Sequence, residues 1–233
     1  MTVNCAWEHN NNDTMLYSID CVGAYARGEN LEIAKSKMSD EILSYMSWSG
    51  REFSSELDFK ITEEKSSNLN IKDADSDIIF KKEKQILTIE EYIILKMLAL
   101  KSANDFEDLY NSVPDKDKIL KNSRKTFYGR LPITANEMYL HTKNVNEYYF
   151  SEIEVAADNS GSIYECRNRG FEELESNPKF LSNAVFEGSY GEEWSLRKVL
   201  RRFIWHDRIH AKAMYRSAVK VFGAQNVKNP FYF

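Results

Sequence analysis

The amino-acid sequence predicts an α+β fold in two units: a small α/β domain over residues 1–82, then a bundle of about four helices over residues 87–233. Three observations carry this. Leu57, Phe59 and Ile61 alternate with polar residues, the two-residue period of a strand. Two capping-box patterns, Thr88 with Glu91 and Thr134 with Glu137, each stand ahead of an apolar run. The change from the first texture to the second falls between Lys81 and Leu87, so strands come first and helices second.

Element by element, Met15 to Cys21 and Gly23 to Arg27 are short β-rich runs. Gly28 gives a turn and Asn30 caps a helix. Leu31, Ala34, Met38, Ile42, Tyr45 and Met46 recur at helical spacing up to Trp48, and Ser49 with Gly50 ends that helix. Glu63 to Asp77 is polar and reads as a loop or edge, and Ile78 to Phe80 as a last short strand. The helix after Thr88 carries Ile93, Met97 and Leu100 and runs to about Tyr110, ahead of Pro114. Lys116 to Arg130 is basic and loop-like. The helix behind Thr134 runs to about Ala157, a third covers Arg167 to Ser176 before Pro178, and the last is capped by Ser195 and stopped by Gly223.

With 42% hydrophobic residues the chain can build a core, and a net charge of -5 argues against bulk binding to nucleic acid or an anionic membrane. Cys5, Cys21 and Cys166 form no CxxC pair, so neither a thiolate zinc site nor a disulfide framework is indicated. The polar start, Met1 to Asp13, lacks the pattern of a signal peptide, and the apolar stretch Tyr92 to Leu100 is too short for a bilayer. The expectation is a reduced, cytoplasmic protein.

The chemistry points to histidine. His206 and His210 are four residues apart on the last helix, so their side chains lie one turn apart on one face, with Leu196, Val199, Phe203 and Met214. His141 shares a stripe with Met138, Val145 and Tyr148 on another helix. Three inward imidazoles need a common partner, and a divalent ion supplies one. Three protein ligands leave positions open for water or substrate. Tyr148 and Glu152 lie within a few turns of His141 and are candidates for a supporting role. His9 reads as an incidental loop residue. The last helix also carries Arg197, Lys198, Arg201, Arg202, Arg208, Lys212 and Arg216 against the single acid Asp207. These charges read as solvating its outer faces and pairing with neighbouring acids; the competing reading is a surface for an acidic partner or nucleic acid.

The segment from Arg197 to Ala211, with its Trp-His-Asp-x-x-His core at 205–210, resembles the final helix of the DinB-like metalloprotein family. Glu137 to Tyr149 is similar to that family's ligand-bearing second helix. The resemblance covers about residues 87–223 and implies a four-helix bundle with His141, His206 and His210 around one divalent ion, zinc or nickel foremost, and Asp207 as a neighbour rather than a ligand. It further implies a thiol-dependent S-transferase or isomerase, or a metal-dependent hydrolase, with a low-molecular-weight thiol as co-substrate; the alternative is a metal-binding protein without turnover. The region Cys166 to Phe180 departs from the family's pattern, so no substrate carries over. Ile19 to Ala34 resembles the HicB-like α/β fold, which implies a module for a partner or a homodimer over about residues 4–61.

Overall fold

The computed structural model describes residues 1–52, 56–127 and 129–233. It is a mixed α+β structure. Strands β1 (Thr2–His9), β2 (Thr14–Ser18), β3 (Tyr25–Gly28) and β4 (Asp58–Ser66) form one sheet in the order β3-β2-β1-β4. The β1-β2 and β2-β3 pairs are antiparallel, and β1-β4 is parallel. Helix α1 (Leu31–Trp48) makes the crossover between β3 and β4, and the Asn30 side chain accepts from the Ile33 amide at its start, as expected.

Both faces of this sheet are buried along β1 and β2, and the two-residue period sorts their side chains. Leu16 packs with Val3, Cys5 and α1, whereas its neighbours Met15 and Tyr17 point the other way, with Ala6, into a second cluster. That cluster is completed by Ile71, Ile78, Phe80, Trp205 and Ile209. The last helix, α6 (Leu196–Phe222), therefore lies against the face of the sheet opposite α1. Gly23 makes the turn that lets them meet: its φ is +92°, and an added Cβ would sit 2.5 Å from Ile204 Cγ2 and 3.0 Å from the Trp205 amide nitrogen.

On its other side α6 packs against α2 (Ile89–Ser112), α3 (Ala135–Lys143), α4 (Val145–Ser151) and α5 (Ile163–Glu175). Several expectations need correction. β1 was read as a polar terminus, yet it is a central strand, because Val3, Cys5, Ala6 and even Glu8 are buried. Segment 78–80 is not a strand; Ile78 and Phe80 are buried by Tyr17 and Trp205 without pairing. α2 turns Tyr92, Leu95, Ala99, Ala103 and Phe106 inward and leaves Ile93 and Met97 49% and 64% exposed. The helix behind Thr134 breaks at Asn144 and ends at Ser151. β4 also runs through Ser66, since an edge strand can carry charge on its solvent side.

Most of the basic run on α6 is buried rather than solvating outer faces, with Arg216 exposed, and the expected pairing with acids is present. Arg197, Lys198, Arg201 and Arg208 are buried, each paired with a carboxylate from a different segment: Glu91, Glu192, Glu83 and Glu41. Asp207, on the same helix, takes Arg167 of α5 at 2.5 and 3.1 Å and the Ser102 hydroxyl of α2 at 2.5 Å. α6 is thus keyed to the rest of the chain by buried ion pairs as well as apolar packing. Among the described residues no helix is long and apolar enough to cross a membrane.

Candidate metal centre at the base of a charged cleft

α6 is nucleated by Ser195, whose hydroxyl accepts from the Lys198 amide at 3.2 Å, and it continues unbroken past His206 and His210. α3 is capped by Thr134, which accepts from Glu137 at 3.1 Å. It buries Ala135, Met138 and Thr142, which sets His141 at the border of its buried face. The two helices bring the three imidazoles together. Ring centroids are 5.3 Å apart for His141–His206, 4.6 Å for His141–His210 and 4.4 Å for His206–His210. One ligating nitrogen from each can be chosen so that all three lie within 4.8 Å of one another, so these residues could hold a metal ion.

The electrostatics suit ligation by neutral imidazole. Burial lowers all three pKa values; for His206 and His210 the fall is well below the ordinary value and is reinforced by the neighbouring histidines, and for His141 by Lys121. His206 Nδ1 is buried and has no hydrogen-bond partner among the described residues. A buried ring nitrogen in that condition is costly unless something else takes it up.

The histidines line a cleft of about 690 Å³. Trp205 and Ile209 continue its lining along α6, and Tyr148 and Tyr149 come from α4. One wall is segment 69–77, anchored on the sheet: the buried Glu8 carboxylate accepts from Ser76 Oγ at 2.6 Å, Tyr17 Oη at 3.2 Å and the Asp77 amide at 3.2 Å. Arg124, from the loop between α2 and α3, pairs with Asp73 on that wall.

The supporting candidates separate. Tyr148 lines the cleft, and its hydroxyl donates to Glu192 at 3.5 Å; burial, then the charges of Glu192 and Glu152, raise its pKa and keep it protonated. Glu152 is buried outside the cleft lining and accepts from the Ser189 amide at 2.7 Å. Asp207 is turned away into its pair with Arg167. His9 ends β1, stacked on Trp7 and 3.2 Å from Glu64. Arg202, which sequence reasoning placed on the outer basic face, and Trp205, to which it gave no role, are cleft residues. The signal for Arg202 was present: it lies four residues before His206, on the same helix face. Comparison with family models, with characterised proteins and with solved structures returned no match to this chain.

Proposed function

We propose that the chain binds one divalent cation, zinc or nickel, through His141, His206 and His210, and is a metal-dependent enzyme of the DinB-like type with a HicB-like α/β unit at its start. The observation that carries the reading is the orphaned, buried Nδ1 of His206 inside a cluster of three imidazoles that burial keeps neutral. Neutral imidazole is the form that binds such ions. The cleft beside the cluster supplies a place for a substrate.

A divalent ion bound there supplies Lewis acidity and lowers the pKa of a coordinated water or small thiol. The chain's own residues do the positioning. The Arg167–Asp207 pair and Ser102 hold the turn of α6 that carries His206. Trp205 and Tyr149 exclude water from one side, and the protonated Tyr148 hydroxyl, in the cleft lining, donates to Glu192. The co-substrate in this reading is a low-molecular-weight thiol.

Elemental analysis of untagged protein tests the first part. About one zinc or nickel per chain is expected for the parent, and none for a variant carrying His141→Ala, His206→Ala and His210→Ala. Equal metal content in the two would place any ion elsewhere. In cobalt-substituted protein, a small thiol should add charge-transfer absorption; no change with any thiol up to a pH above about 8.5 removes the thiol from the mechanism.

A further inference from the structure

Arg202 stands apart from the other buried cations of α6. It is 9% exposed and lines the cleft one helical turn before His206. Its guanidinium carbon lies 4.6 Å from the Trp205 ring centre, 5.4 Å from that of Tyr149 and 5.5 Å from that of Trp194. One nitrogen, Nη1, donates to the Ser76 carbonyl at 3.2 Å, and the phenol of Tyr149, which burial keeps neutral, is its other close polar neighbour. Nε is buried with no hydrogen-bond partner among the described residues. No carboxylate among them lies within ion-pair distance of Arg202, whereas Arg167, Arg197, Arg201 and Arg208 each have one.

The cleft's own acids do not fill this role, because most are already taken. Glu192 is held by Lys198 at 2.9 Å, Asp77 by Lys65 at 2.8 Å, and Asp73 by Arg124. That leaves Arg27, Lys72, Lys121 and Arg202 facing the space, with Asp75 as the lining carboxylate outside an ion pair among the described residues. Glu192 and Asp75 act on Arg202 only from beyond ion-pair distance. A buried guanidinium without a direct ion pair is unfavourable in general, so an anion from outside is the natural partner.

We infer that the cleft binds a carboxylate on an aromatic or apolar body, the carboxylate on Arg202 and the body among Trp205, Tyr148 and Tyr149. Arginine's planar fork matches the two oxygens of a carboxylate, and the rings beside it suit a flat apolar group better than a free phosphate. This rests on the reading of the cleft as a substrate pocket, and it sets the carboxylate one helical turn from the histidine cluster.

Calorimetry on the full chain, with and without zinc, tests it with benzoate, benzamide and inorganic phosphate as probes. Benzoate should bind at least about 10-fold tighter than benzamide, and Arg202→Gln should weaken benzoate by about 10- to 100-fold, the range of a charged hydrogen-bonded pair. Arg202→Lys should recover part of the loss, and Lys121→Gln should weaken benzoate several-fold. The variant lacking all three cleft histidines should still bind benzoate in an Arg202-dependent way, which separates this inference from the metal reading. Benzoate binding that is equal in wild type and Arg202→Gln overturns the proposal, as does equal affinity for benzoate and benzamide; the second comparison decides alone if Arg202→Gln fails to fold. Tighter binding of phosphate than of benzoate overturns the assignment to a carboxylate.

Discussion

Arg201 and Arg202 are neighbours in the chain and opposites in environment. Arg201 is 1% exposed and makes a two-point pair with Glu83, Nε at 2.5 Å and Nη2 at 3.1 Å, while stacking 4.2 Å from the Phe80 ring centre. Arg202 is stacked 4.6 Å from the Trp205 ring centre but has no carboxylate within ion-pair distance among the described residues. Successive residues on a helix are about 100° apart, so the two report on two faces of α6. The face with Arg201 is tied to Glu83 from another segment, although Arg201 Nη1 is itself buried without a hydrogen-bond partner among the described residues. The face with Arg202, His206 and His210 keeps polar atoms that the chain itself does not satisfy. What separates the two faces is a buried cation that has no ion pair among the described residues and that lines the cleft.

The difference is open to attack in three further ways, from the largest effect to the smallest. Arg201→Met should cost about 3–5 kcal/mol, because it leaves Glu83 buried without its partner, and Arg202→Met no more than about 1–2 kcal/mol, because it strands no carboxylate. Urea melts of both variants measure this; equal losses would erase the distinction between the faces.

The pH dependence of the metal-free chain comes second. Burial depresses the pKa of all three cleft histidines in the fold, so the unfolded chain binds more protons below its own histidine pKa, about 6.5. Their contribution is complete above that pH and is lost as pH falls from there through the depressed folded values. Removing the three histidines should flatten the stability profile below about pH 6.5. An unchanged slope would mean that other groups control it.

The smallest effect belongs to the surface. Lys84 and Glu193 approach to 2.5 Å, but both are about half exposed. Lys84→Ala should change stability by less than about 1 kcal/mol, and added salt should shrink even that. A loss as large as that of Arg201→Met would show that close approach matters more than burial in this protein.

The helices were the most legible part of the chain. The caps at Asn30, Thr88, Thr134 and Ser195 stand where local sequence put them, since a side-chain acceptor three residues ahead of a free amide is a local event. The start of α5 was missed although Ser162 and Glu165 form the same box. The buried face of α2 was not legible, because Ile93 and Met97 are as apolar as the side chains that are buried, and periodicity alone leaves such a helix two candidate stripes. β1 was missed because its buried Glu8 looks like a surface residue until Ser76, Tyr17 and the Asp77 amide close around it from other segments.

The sequence by itself determined where α6 begins and ends, and that His206 and His210 share one of its faces, because helical period and capping depend on residues a few positions apart. Only the tertiary structure decided that His141 meets them, that segment 69–77 walls the cleft, and which of two adjacent arginines receives a carboxylate. Those outcomes depend on groups as far apart in the chain as Glu83 and Arg201. Pairing across such a distance is settled by the packing of whole elements, which no short window of sequence contains.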